Sequence, residues 1–207
     1  MINEEFKNQL MRFANKLSGN KYSRFKSKFI SIVNILKHNM RIAEVVKSGS
    51  IEKDVSLDDI SDLDIIYTFI ETEKTRDEIR HEAFVHLDSS FPNDNVTEGN
   101  RSVKVEFTEN RKYDVVYKPF SDYEAEKNEI RITKESTNEI KNIIKLLRYW
   151  ANSQKKDIDS YKLEKIVLYH EIHNQDKSFE NLLIESIKFI GDDPEVVLNF
   201  YKQKKET

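Results

Sequence analysis

The chain has 207 residues, 38% hydrophobic and 34% charged, with a formal net charge of −3 and no cysteine. That length suits one domain, or two small lobes sharing a core. The composition excludes disulfides and thiolate metal centres, offers no apolar run near the ~20 residues of a membrane span, and argues against broad nucleic-acid binding, which needs a basic footprint.

Phe6, Leu10, Phe13 and Leu17 recur at helical spacing, and Gly19-Asn20 ends that helix. The stretch Met1 to Glu5 is acidic and has no signal-peptide apolar segment, so the expected location is the cytoplasm. Tyr22, Phe25, Phe29, Ile32 and Leu36 mark a second helix, over a local basic group of Lys21, Arg24, Lys26 and Lys28. A first strand is predicted over 42–46, a second over 62–69 and a helix over 73–87. Residues 89–100 read as turn-rich, with Pro92, Gly99 and several Asn and Asp. Two strands follow, 102–107 and 113–117, closed by Pro119. Residues 121–133 read as polar with an extended tail at Ile130-Arg131-Ile132. Beyond Ser136 the pattern is helical: a stripe of Ile140, Ile143, Ile144, Leu147 and Trp150, then helices over 161–172, 179–190 and 194–202. Strands first and helices later give an α+β fold, a small mixed sheet followed by a helical half. The expected division is 1–134 for the sheet with its N-terminal helices and 135–207 for a helical lobe.

Ser48-Gly49-Ser50, followed by Ser61-Asp62-Leu63-Asp64-Ile65-Ile66, is the most informative stretch. Side chains alternate along a strand, so Asp62 and Asp64 share one face while Leu63, Ile65 and Tyr67 point into a core. Aligned carboxylates suit a pair of Mg²⁺ ions roughly 3.5–4 Å apart. A Gly-Ser turn just upstream offers backbone N–H groups and a hydroxyl to phosphate oxygens. Asp114, a lone acid within the run Tyr113 to Tyr117, is the candidate third carboxylate, because a charge there must be paired or bound to metal. Other acids, Asp54, Asp58 and Asp59, read as a solvated loop and lack the glycine and spacing of an EF-hand. His170-Glu171-Ile172-His173 spaces its histidines at i and i+3, not the i and i+4 of a zinc protease helix, and reads as helix surface. Trp150 lies on the apolar stripe and reads as core; Tyr149 is open between core and base stacking.

The order of these motifs resembles that of the polymerase-β-like nucleotidyltransferases, above all the group of oligoadenylate synthetases, cGAS and bacterial cGAS-like enzymes. In that group a helix with Lys-x-Trp near its end and then a Ser/Tyr-x-Leu-Glu helix follow the third Asp. Here Leu146-Leu147-Arg148-Tyr149-Trp150 and Ser160-Tyr161-Lys162-Leu163-Glu164 fill those places. The resemblance runs from about Ile42 to about Tyr169. It implies that Asp62, Asp64 and Asp114 are the catalytic metal ligands for two Mg²⁺ or Mn²⁺ ions. Gly49 and Ser50 would hold the triphosphate of ATP or another NTP, and Asp114 would also orient or deprotonate the attacking hydroxyl. Arg148 stands where the family has Lys, with Lys145 a turn earlier as its rival, and Ser160 is the nearby hydroxyl. Where the family follows its Gly-Ser turn with a basic residue, Gly and Thr, this chain has Lys53-Asp54-Val55-Ser56. The implied reaction moves NMP from NTP to a hydroxyl and releases pyrophosphate. A second nucleotide is the expected acceptor, giving a linear or cyclic oligonucleotide signal. The alternatives are transfer to tRNA, a protein or a small molecule, and an idle fold that binds nucleotide or a partner. A two-metal nuclease is disfavoured, since it has no triphosphate for the Gly-Ser turn to hold.

Overall fold

The structure is a computed structural model that describes residues 2–17, 22–57, 62–69, 72–108 and 111–204. Gly19-Asn20, Lys21, Asp58, Asp59 and Ser61 lie outside the described residues. In chain order the elements are α1 (Glu4–Leu17), α2 (Tyr22–Met40), β1 (Glu44–Ser48), α3 (Gly49–Glu52), β2 (Leu63–Thr68), α4 (Arg76–Ser90), β3 (Asn95–Glu98), β4 (Val103–Phe107) and β5 (Arg111–Tyr117). Five helices follow: α5 (Phe120–Glu135), α6 (Asn138–Ser153), α7 (Ser160–His173), α8 (Phe179–Phe189) and α9 (Pro194–Gln203). The architecture is α+β, with a small mixed sheet and a helical C-terminal half. Two compact units share the chain: residues 20–54 with 60–134, and residues 1–19 with 55–59 and 135–207.

In the sheet unit the strand order is β1-β2-β5-β4-β3. β2 and β5 run parallel, and every other pairing is antiparallel. The β2–β5 pair can be parallel because α4, β3 and β4 intervene, the long crossover that parallel strands need. One sheet face is apolar. Leu63, Ile65 and Tyr67 of β2, Val103, Val105 and Phe107 of β4, and Tyr113 and Val115 of β5 form a core with Phe25, Ile32 and Leu36 of α2 and Ile79, Ala83 and Leu87 of α4. Their two-residue spacing on strands and three- or four-residue spacing on helices is the periodicity each element needs to bury one side. The Tyr113 hydroxyl donates to the Phe25 carbonyl at 2.9 Å, which satisfies the one polar atom this ring carries into the core. Thr75 starts α4 with a capping box: its hydroxyl accepts from the Glu78 N–H and its own N–H donates to the Glu78 carboxylate.

Two elements differ from the sequence reading. Residues 120–135 form one helix, α5, whose buried positions are only Tyr123, Ile130 and Thr133. Ile132, which made the tail look alternating, is solvent-exposed. Within the turn-rich stretch a short edge strand, β3, pairs with β4 and buries Val96.

The helical unit closes on a second core. Phe6, Leu10 and Ala14 of α1 pack with Ile140, Ile143, Ile144, Leu147 and Trp150 of α6 and with apolar residues of α7, α8 and α9. The stripe on α1 therefore belongs to the same core as the C-terminal helices. Side chains of Thr137, Asp159, Ser178 and Asp193 cap the starts of α6 to α9. The Asn142 amide donates to Asn15 Oδ1 at 3.2 Å, fixing α1 on α6. Tyr149 is half-buried at the edge of this core, its ring edge-on to Phe13 with centroids 5.1 Å apart. Among the described residues no helix is long and apolar enough to cross a membrane.

Candidate active site

The opposite face of the sheet carries a polar row, and its chemistry is set by register. Asp64 of β2 pairs with Asp114 of the parallel neighbour β5. Ser48, the last residue of β1, pairs with Asp64 from the other side, and Lys104 of β4 pairs with Asp114. Registered neighbours share a face, so Ser48, Asp64, Asp114 and Lys104 form one row across four strands. Asp62 immediately precedes β2 and is half-buried. The Ser102 hydroxyl donates to Asp114 Oδ1 at 3.4 Å.

At the end of β1 the chain turns against this row. Gly49 has φ +73, a conformation L side chains rarely adopt, and a Cβ added there would lie 1.7 Å from Asp64 Oδ2. Glycine is thus required twice over, by backbone angle and by contact with the carboxylate. Residues 49–52 form a single helical turn, α3, and Ser48 at its N-cap makes no side-chain cap. Instead the Ser48 hydroxyl donates to Glu126 Oε1 of α5 at 2.7 Å. α3 ends through Asp54, exposed and at φ +60. Asp tolerates the left-handed region better than most side chains do.

Negative charge accumulates here. Burial, then the charges of Asp114, Asp62 and Glu126, push the Asp64 carboxyl from the ordinary 3.8 up to about 7, with Lys53 opposing. The Asp62 carboxyl is also raised, by burial and by Asp114, against the pull of Lys112 and Lys104. Glu126 goes the other way. Burial would raise it, but hydrogen bonds from Lys118 and Ser48 and the charges of Lys118 and Lys53 hold it below the usual carboxylate range. Among the described residues no three His, Asp or Glu side chains converge closely enough, as they stand, to grip a metal ion. The donor set itself, hard carboxylate oxygens with too little positive charge nearby, is the kind that Mg²⁺ and Mn²⁺ take.

No family model matches the sequence, and no curated protein matches it. Solved structures do. Cid1 poly(U) polymerase with Mg and 3′-dATP superposes with a TM-score of 0.71 at 16% identity, over 90% of this chain and 73% of that one. The CdnC:HORMA-deltaN complex of E. coli MS115-1 gives 0.67 at 17% identity, over 89% and 70%. A cytoplasmic RNA terminal U-transferase gives 0.68 at 16% identity, over 90% and 71%. The chain has a nucleotidyltransferase fold.

Within this nucleotidyltransferase fold the sequence-predicted residues divide between the two units. Asp62, Asp64, Asp114, Gly49 and Ser50 belong to the sheet unit; Lys145, Arg148 and Ser160 belong to the helical unit. Arg148 is buried and donates from Nη1 to the Val55 carbonyl at 2.9 Å, fixing the segment that follows α3. Lys145 is also buried on α6, and Ser160 is half-buried at the first position of α7. Sequence reasoning missed Glu126 and Lys118; Lys53, which fills the basic position after the Gly-Ser turn, is buried. No motif flags Glu126 or Lys118, and Glu126 comes into view only once residues 120–135 are seen as a helix. His170 is buried between the rings of Tyr169 and Phe189 rather than lying on the helix surface; His173 is exposed.

Proposed function

We propose that this chain is a metal-dependent nucleotidyltransferase that transfers NMP from NTP to a hydroxyl and releases pyrophosphate. The observation that carries the proposal is the register of Asp64 with Asp114 on parallel strands, with the Gly49 turn in contact with the Asp64 carboxylate. Two Mg²⁺ or Mn²⁺ ions held by Asp62, Asp64 and Asp114 would supply Lewis acidity at the attacking hydroxyl and at the leaving pyrophosphate. The backbone of Gly49 and Ser50 receives phosphate oxygens, and Asp114 orients the acceptor hydroxyl and takes its proton. Protein groups here position and stabilise charge rather than form covalent intermediates. The motif order alone supports nucleotide contacts for Lys145, Arg148 and Ser160.

The acceptor we favour is a second nucleotide, giving an oligonucleotide signal, in line with the motif order. Transfer to an RNA end is the second reading, supported by the likeness to Cid1 and to the terminal U-transferase. The test is incubation with labelled ATP, GTP, CTP and UTP and Mg²⁺ or Mn²⁺, without and then with an RNA oligonucleotide. An Asp62→Ala/Asp64→Ala variant is the control. Phosphatase-resistant products without RNA support the signal synthase, and RNA extension supports the second reading. Pyrophosphate release that persists in the control, or none under any condition, overturns the proposal.

A further inference from the structure

Glu126 is tied to the end of β1 and to the residue that follows β5. Its carboxylate accepts from Ser48 Oγ at 2.7 Å and from Lys118 Nζ at 2.8 Å. Ser48 is 1% exposed, ends β1 in register with Asp64 and immediately precedes Gly49. Lys118 directly follows β5, and its backbone N–H donates to the Tyr67 carbonyl of β2 at 3.0 Å. One helical stretch further along α5, Lys134 Nζ pairs at 2.7 Å with Glu52, the last residue of α3. α5 therefore grips the Gly-Ser turn on both sides. The inner grip is the more buried one: both acids expose 17%, but Glu126 is met by Ser48, 1% exposed, and Lys118, 31%, whereas Glu52 is met by Lys134, 57% exposed. A Ser at an N-cap ordinarily bonds its own helix. Here it is given to Glu126 instead, so the start of α3 is held by a residue from another element rather than by itself.

We propose that Glu126 is a positioning residue that holds the Gly49 turn against the Asp64 carboxylate from α5. The proposal rests on the reading of the acidic row as a nucleotidyl-transfer site. Glu126 makes no claim on substrate; it acts through Ser48 on Gly49, where the fit to Asp64 is tight enough to exclude a single methyl group.

Hydrogen exchange of the metal-free protein, read by mass spectrometry over residues 44–54, tests the grip directly. Glu126→Ala should speed exchange there about tenfold or more, since a hydrogen bond to a charged group is lost. Residues 95–107 should exchange as before. Glu126→Gln keeps an oxygen for Ser48 Oγ and should stay within about threefold of the parent. Lys134→Ala should do less than Glu126→Ala. In transfer assays Glu126→Ala should lower kcat/KM for NTP by roughly 10–100-fold, since the turn it holds is the one that receives the phosphate oxygens. Unchanged exchange over 44–54, or an equal rise over 95–107, overturns the grip. Faster exchange with an unchanged kcat/KM for NTP overturns the positioning role. If the parent protein transfers nothing yet the exchange pattern holds, the grip stands and the transferase reading fails.

Discussion

Replacing Gly49 with Ala should disable the site while leaving a folded protein. The new Cβ would fall 1.7 Å from Asp64 Oδ2 and 2.7 Å from its Cγ, where ordinary contact begins at 3.4 Å, so something must shift by about that difference. Asp64 is flanked by hydrogen-bonded strands on both sides, which leaves rotation of its carboxylate as the least costly response. An off-rotamer side chain costs about 0.5–1.5 kcal/mol, and a non-glycine residue in the left-handed region roughly 1–2 kcal/mol. The expected loss of stability is therefore about 2–3 kcal/mol, and a displacement above 1 Å at a reacting group costs on the order of 100-fold in rate. Gly191 supplies the control. Its φ is +80, yet nothing lies within 4 Å of an added Cβ. Gly191→Ala should show the backbone cost of about 1–2 kcal/mol alone and leave transfer unchanged. Urea unfolding and pyrophosphate release at matched folded fraction compare the two. If Gly49→Ala loses no more stability or activity than Gly191→Ala, the contact between the turn and the carboxylate is not what the glycine serves.

The raised Asp64 carboxyl makes stability depend on pH with a definite sign. A carboxyl whose folded value lies above its unfolded value stabilises at low pH, and that contribution is lost as pH rises from 3.8 through about 7. Glu52, Glu78, Glu98 and Glu126 are all lowered, so their contributions are complete once pH exceeds 4.5. Metal-free protein should thus lose up to roughly 3 kcal/mol between pH 5 and 8 by urea unfolding, and Mg²⁺ should return part of it at pH 8. A flat or rising profile over that range would show that Asp64 is not strained by its neighbours. Tyr113→Phe removes the hydroxyl that satisfies the Phe25 carbonyl and should cost about 1 kcal/mol, a drop of about 2–4 °C in Tm, with transfer retained. An unchanged Tm would mean that water or another group replaces the bond.

Where burial repeats strictly, the sequence was legible. Leu63, Ile65 and Tyr67 do line the core, and the α6 stripe from Ile140 to Trp150 is buried. The alternation that buries the first set puts Asp64 on the other face, which is why the carboxylate row could be read before its partner strands were known. α5 was illegible because its buried positions are few, and Ile130 and Ile132 imitate a strand. β3 was illegible because four residues with one buried side chain carry no period; its backbone partners on β4 define it. Asp54 reads in the sequence as part of a solvated loop; it is exposed and sits in a turn at positive φ.

The interleaving of the two cores bears on how the polypeptide emerges during synthesis. Asn15 meets Asn142 across 127 residues, and the Ile2 N–H meets Glu180 across 178. At about 5–20 residues per second, α1 waits roughly 6–25 s for α6 to be made. During that interval its apolar stripe of Phe6, Leu10 and Ala14 has no native cover, while every strand of the sheet has already been translated. The sheet unit can close first, and the helical unit gathers its parts from both ends of the chain. A fragment cut after Lys134 would therefore display α1 and Val55 as uncovered apolar surface, a target for chaperones and proteases rather than a smaller folded unit.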